Sequence, residues 1–465
     1  MTITPETAWE PYRPTKDNPW NLRKVGHLHR RAGFGATWAE LQAGLADGHQ
    51  AALDRVLKGK PESEDFTRTS EFMASERSLP ALSPGTRLAA WWIDRMLTTS
   101  HPLREKVTLL WHNHFATSIA KVRNARQMLE QYHLLSHHAL GRFDAMLQEI
   151  SLDPAMMVWL DTKESTKGKP NENYARELME LFSLGIGHYT ETDIREAAKA
   201  FTGYTIKAGK GTLDTKQHDD SVKSVLGQKG KFAAGDIVRI CLEQPACPMF
   251  IAKKFYRFFI NEADDAPEEL LTPLAEHYRK TGLDTADLVA TILKSNLFFS
   301  PVAYRQRIKS PVAYLTGIVR GFEGRVGSLH LAEALETLGQ ALFAPPSVKG
   351  WDGGPAWLNG QTLLFRQNLA LAITSTEDNR FSRRCDPAEL LASHKKASDD
   401  EVVDFLLKLF LQGDVPDGTR TRLIDYMKQT RGTKVPAYWT SEDAANHRLR
   451  AAAHLVLTLP EFQLD

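Results

Sequence analysis

Apolar residues recur every three to four positions along most of the chain, the period of helices that each bury one face. Behind Thr37, the residues Leu41, Leu45, Ala52 and Val56 trace such a face, and Glu40 completes a capping box at its start. The same spacing predicts helices near 86–98, 103–118, 124–137, 141–151, 172–184 and 191–202. Later ones fall near 248–261, 267–281, 285–296, 311–321, 330–343, 361–374, 400–412, 418–430 and 442–458. Ser310 followed by Pro311 is a strong start signal, an N-cap with proline at the first helical position.

The helical period fails in two places. Residues 203–232 are rich in Gly, Lys, Thr and Asp, with Tyr204, Ile206, Val222 and Val225 spaced as in strands. They predict a small β-hairpin or irregular flap. The loop from Ala344 to Pro355 holds three prolines and three glycines, which disfavour helix and suit a fixed turn. The polar, weakly periodic stretches 58–84 and 376–400 read as linkers or surface loops. The expected fold is mainly α, a multi-helix globular core with that flap inserted. An extended N-terminal arm spans 1–24, the helical core 25–375, and a C-terminal helical segment packed on the core 376–465.

Length and charge narrow the function classes. A chain of 465 residues can bury one large core or two to three ordinary ones. With 58 Lys and Arg against 57 Asp and Glu, no overall field attracts nucleic acid or an anionic membrane. The three cysteines, Cys241, Cys247 and Cys385, are too few and too oddly spaced for a disulfide scaffold or zinc finger, and read as inert core thiols in a reducing compartment. No run approaches the ~20 apolar residues of a membrane span. Residues 1–20 hold four prolines and no apolar core, unlike a secretory signal. The expected location is cytoplasmic, or periplasmic or exported if a signal once preceded the chain.

Candidate chemistry concentrates in residues 170–204. On a continuous helix over 172–184, Glu172, Arg176 and Glu180 form an ion-pair ladder opposite an apolar face. Glu177 stands at the border of that face, where partial burial raises a carboxyl pKa and suits acid–base or metal work. His188 sits in the Gly-rich corner that follows. In Trp111-His-Asn-His-Phe115, the two imidazoles of His112 and His114 point about 200° apart on a helix, so they do not share one ion. His218 and Asp219, with Asp220 and Lys223, occupy the flap; Lys349 and Trp351 occupy the Gly-rich loop.

The candidate roles follow. Glu177, Arg176, His218 and Asp219 are the catalytic candidates; His112, His114, Glu180 and His188 are the metal-ligand candidates; Lys349 and Trp351 would bind a ligand. Imidazole with carboxylate suits a divalent metal or iron, hence a metal-dependent hydrolase or an oxidoreductase. Two rivals stand beside this enzyme: a non-catalytic binding or assembly protein working with a partner chain, and a haem protein using a histidine of 111–115. The nucleotide-binding, nucleophile-elbow and zinc-protease motifs do not occur.

Several runs together resemble one family. They are His29-Arg-Arg-Ala-Gly-Phe-Gly35, Trp111-His-Asn-His-Phe-Ala116, Asn171-Glu-Asn-Tyr-Ala-Arg-Glu-Leu-Met-Glu-Leu-Phe182 and Gly187-His-Tyr-Thr190. Arg195-Glu-Ala-Ala-Lys-Ala-Phe-Thr-Gly203, His218-Asp219, Val225-Leu-Gly227, Leu338-Gly-Gln340 and Pro345-Pro-Ser-Val-Lys-Gly-Trp351 complete the set. The chain resembles the bacterial family called domain of unknown function 1800, from about 25 to 375 and more weakly to its end. The resemblance implies a mostly helical bacterial protein and no particular reaction or catalytic residue. It also implies a sulfatase-like or phosphatase-like partner protein, and export signals in many members.

Overall fold

The computed structural model describes residues 4–465 apart from 76, 77, 79–81, 264, 376, 377, 379, 382–384, 432, 433, 435, 437 and 438. Helices dominate, and many start by one local device. Ser83, His101, Asp153 and Ser310 each accept a backbone N–H of the first turn, and each is followed by a proline, Pro84, Pro102, Pro154 and Pro311. Proline lacks the N–H that a first turn leaves unpaired, so the combination fixes the start without loss.

Two apolar cores hold the helices. One gathers Trp111, Phe115, Phe143, Phe182, Phe255 and Tyr278. The other gathers Val25, Trp91, Trp92, Ile318, Leu406 and Phe410, so residues far apart in sequence, including the C-terminal helices, close it together. The Pro102–His114 helix serves both: Leu103, Val107, Leu110 and Trp111 enter the first core and Leu109 the second. It therefore has almost no wet face, and Glu105, Lys106, His112 and His114 are all buried. At the N-terminus, Pro5–Ala8 is a short helix, and Ala8 and Tyr12 are buried in the first core.

Most predicted helices stand where the period puts them. The run behind Thr37 is broken into Trp38–Ala46 and Gly48–Lys58, and 103–118 stops at His114. Within the two stretches read as loops, Glu64–Ala74 and Pro387–Ser393 are helical; 76, 77, 79–81, 376, 377, 379 and 382–384 lie outside the described residues. Leu22–Arg31, Pro154–Trp159 and Ala234–Glu243 are helices that the pattern did not announce. The first buries Lys24, His27, Arg30 and Arg31, so its inward face reads as polar. The flap is two antiparallel hairpins, Tyr204–Lys207 with Lys210–Leu213 and Lys223–Val225 with Gln228–Gly230. Their turns at Ala208-Gly209 and Leu226-Gly227 take positive φ at both residues, the geometry that matches strand twist. Among the described residues no helix is long and apolar enough to cross a membrane.

One buried ionic cluster ties the helices around the second core. Glu105 accepts from Arg95 at 2.9 Å, from the Tyr132 hydroxyl at 2.8 Å and from the Trp92 indole at 2.9 Å. Replacing Glu105 by alanine leaves the Arg95 guanidinium without its counterion in a mostly dry place, and is expected to cost about 3–5 kcal/mol in denaturant unfolding. The double replacement Arg95→Met with Glu105→Leu should cost clearly less; equal losses would show that the pairing is not what matters.

Candidate functional site

The buried Pro102–His114 helix carries a seam, the polar Lys106, Asn113 and His114 with Leu110 between them, that faces an open hollow. The Ala246–Phe259 helix adds Lys254, Arg257 and Phe258, and the 344–357 loop lays Lys349, Trp351 and Trp357 across it. Glu262, Arg307, Ser310, Gln340, Asp352 and Asp465 complete the wall of a cavity of about 190 Å³. Asn113 clamps the loop. Its Oδ1 accepts from the Trp351 backbone N–H at 2.6 Å, and its Nδ2 donates to the Trp351 carbonyl at 3.4 Å. Gly350 makes that approach possible: its φ is +82°, and a Cβ there would lie 2.1 Å from Asn113 Oδ1. The Trp351 ring then rests 5.6 Å from the His112 ring.

The hollow is cationic. Five lysine and arginine side chains line it against three acids, and the acids are engaged or exposed. Glu262 receives Arg307 at 3.1 Å and the Ile308 N–H at 2.9 Å. Asp352 stands in water. Burial pushes the Asp465 carboxyl up, but Lys106, Lys309, Arg31 and Arg307 overcome it and hold the group below the usual range. Among the described residues neither Lys106 nor Lys254 makes an ion pair with a carboxylate, although Asp465 acts on Lys106. Lys106 donates to the Arg30 carbonyl at 3.3 Å and otherwise meets the Phe34 and Phe258 rings, at 5.3 and 5.9 Å. Lys254 lies 4.9 Å from the Phe250 ring centroid and has no hydrogen bond or ion pair among the described residues. Burial, with Arg257 beside Lys254 and with Arg307 and Arg31 beside Lys106, brings each ammonium down to about 8; Asp465 opposes this at Lys106.

His114 closes one side. Its Nε2 donates to the Phe182 carbonyl at 3.1 Å, so Nδ1 carries the lone pair, and Nδ1 is buried without a partner. Burial and then Lys254 hold its pKa well below the usual imidazole value, against the opposing bond to Phe182, so the ring is neutral. The Phe182 carbonyl is free because the helix ends at Ser183, and the chain widens just before that end. Asn173–Glu177 is α-helix, but Leu178–Ser183 is a π-helical turn, with the Leu184 N–H reaching back five residues to Met179 at 3.0 Å. Single π turns occur often at functional sites.

That turn corrects the predicted ladder. Arg176 pairs with Glu191 at 2.7 Å and Glu172 at 3.3 Å, not with Glu180. The wider turn moves Glu180 off the i+4 line, and it accepts from the Tyr189 hydroxyl at 2.9 Å. Glu177 is half-buried, outside the cavity wall. Burial and then Glu180 raise its pKa, while Arg176 and Lys349 pull it down, which puts it under the influence of the cavity's rim. His188 is exposed at its corner.

His112 is a packing residue. Its Nε2 accepts from the Phe343 N–H at 3.2 Å, and burial pushes it down to about 3. His112 and His114 thus bond on different sides of the helix, as their spacing required. In the flap, His218 Nδ1 bonds the Thr202 carbonyl at 2.9 Å, and Asp219 accepts from the Ser221 N–H at 2.9 Å. Both serve the turn and neither lines the cavity. Of the sequence candidates, the hollow takes His114, Lys349 and Trp351. Among the described residues no three His, Cys, Asp or Glu side chains gather as ligands of one ion. The three cysteines are buried and free, each pushed up to about 12 by burial.

Sequence reading passed over Lys106, Asn113, Lys254, Arg257, Glu262 and Arg307. A signal existed for the two lysines: Lys106 falls among Leu103, Val107 and Leu110, and Lys254 among Ile251, Phe255 and Phe258, where a helix turns inward. At pH 8 Lys254 should therefore be acylated ahead of the fully exposed lysines, read by peptide mass spectrometry after brief N-hydroxysuccinimide acetate treatment. Labelling no faster than that of Lys216 or Lys395 would mean its ammonium is not destabilised.

No curated protein and no solved structure matches the chain. A family model described as protein of unknown function (DUF1800) matches residues 27–464, nearly the whole chain, and the protein belongs to that family.

Proposed function

We propose that the cavity is the working site of an enzyme that takes a small substrate bearing one anionic group. The observation that carries this reading is the pair Lys106 and Lys254, two desolvated lysines on one hollow that make no ion pair among the described residues, with Asp465 near Lys106 too weak an influence to undo its desolvation, each near half-neutral at about pH 8. In this reading Lys106, Arg307 and Lys349 receive the anionic group, and Lys254 moves a proton. A desolvated amine is a competent base near neutral pH, and its neighbours need not change to make it one. The neutral His114 offers a bare lone pair beside it. Trp351 and Trp357 supply a flat apolar wall for the rest of the substrate.

Of the expected His/carboxylate residues, His114 lines the hollow and Glu177 lies outside its wall; the carboxylates on the wall are Glu262, Asp352 and Asp465. Dependence on a divalent metal or iron has less support, because the candidate ligands His112, Glu180 and His188 are each occupied elsewhere or exposed.

The test is titration calorimetry with inorganic phosphate, sulfate and succinate. At least one should bind, and Lys106→Met or Lys254→Met should weaken it about tenfold, as loss of one charge-assisted bond does. The pH dependence follows from linkage. A bound anion favours the ammonium form, so affinity is full below pH 8 and falls as pH rises through about 8, approaching tenfold per pH unit for each ammonium required. Equal affinity in both variants, or affinity flat from pH 7 to 10, would sink the reading.

A further inference from the structure

The run His29-Arg-Arg-Ala-Gly-Phe-Gly35 puts its histidine into a second cavity, separate from the lysine hollow. This space, about 500 Å³, lies where the Leu22–Arg31, Trp38–Ala46 and Gly48–Lys58 helices meet the turn before Leu103. Its size is that of a site for a small organic molecule. Six of its sixteen wall residues have little or no side chain, among them Ala32, Gly33, Ala39 and Ala43, with Val56 and Leu103 adding apolar surface. Elsewhere the cores are filled by tryptophan and phenylalanine, so this is a place the packing leaves open.

The polar groups around it are nearly all spoken for. Arg320 holds both carboxylate oxygens of Glu40, at 2.8 and 2.9 Å, and also the Gly35 and Leu97 carbonyls. Arg55 is paired with Asp47. The Thr99 and Ser100 hydroxyls donate to Glu62 at 2.5 and 2.9 Å. Lys60 is left at the exposed rim, where water screens it. His29 alone lines the cavity with no hydrogen bond among the described residues. Burial holds its pKa below the usual value, Glu40 opposes this, and Arg320, Arg55 and Arg30 reinforce it. At neutral pH the ring then offers one N–H and one lone pair.

We propose that this cavity binds an uncharged molecule with an apolar body and one hydroxyl group, an alkylphenol or similar alcohol, its hydroxyl received by the His29 imidazole. The charge balance excludes the alternatives: every inward cation already has its acid, so a free anion finds no partner, and a free cation meets Arg320 and Arg55. A hydroxyl both donates and accepts, which is the complement of a neutral imidazole. The small residues give the apolar body its room.

Calorimetry with 4-propylphenol and its methyl ether, 4-propylanisole, tests the assignment on the full chain. The phenol should bind and the ether at least about tenfold more weakly, since it cannot donate to the imidazole. Ala43→Trp fills the cavity from the Trp38–Ala46 helix and should abolish binding; His29→Phe should bring phenol and ether to equal affinity. Thermal melting of each variant shows that it is folded. No saturation by the phenol at millimolar concentration, equal binding of phenol and ether by the unaltered protein, or unchanged binding in folded Ala43→Trp would each overturn it. None of these results depends on whether the lysine hollow takes an anion.

Discussion

A helix wedged between two apolar cores has little face to give to water, and the Pro102–His114 helix, with Arg104 exposed, is in that position. Every buried polar side chain it carries must find a partner inside the protein or go without. Glu105 finds three donors; His112 takes a backbone N–H; Asn113 clasps the backbone at Trp351; His114 gives its proton to a carbonyl. These contacts reach four separate parts of the chain. The helix therefore positions the loop over the hollow and the π turn behind it, and the hollow exists because its neighbours are fixed from this one element. Lys106 and His114, whose Nδ1 has no partner, remain only partly satisfied.

The charge arrangement near Lys106 is unusual in sign. Arg31, Lys106, Lys309 and Arg307 surround Asp465 with an excess of cations in a largely dry region. Two guanidinium nitrogens of Arg31 have no protein partner. One acid for four buried cations leaves an excess of positive charge that costs free energy. The same desolvation lowers the pKa of the lysine amines.

Much of the helical framework was legible in the sequence because the 3.6-residue apolar period survives wherever a helix buries one face. Leu22–Arg31 was missed because it hides lysine, histidine and arginine beside its short stripe of Leu22, Val25 and Leu28. Ala234–Glu243 was missed although its buried face, Ile237, Val238, Ile240 and Cys241, is apolar. The site was legible in part. The Gly-rich loop announced itself by composition, and the spacing of His112 and His114 separated them correctly. Arg176, Glu180, His188, His218 and Asp219 drew attention because charges cluster near them, yet their partners are local: a neighbouring acid, a tyrosine, a turn carbonyl or water. The lysines of the hollow, Lys106 and Lys254, lie singly among apolar residues. Only their surroundings in three dimensions distinguish them from the chain's other lysines.

The π turn at Leu178–Ser183 amounts to one surplus residue held within a helix. It sets the phase of everything after it: the corner glycines, the following helix and the flap are rotated by about 100° relative to an uninterrupted spiral. Removal of a single residue from this turn would let the ordinary pairing close. Glu180 would swing back under Arg176, and the Phe182 oxygen would turn away from the imidazole it now holds. His114 would then be free to exchange one tautomer for the other. The choice of which ring nitrogen is bare is thus written as a count of residues, in a segment that never touches the hollow.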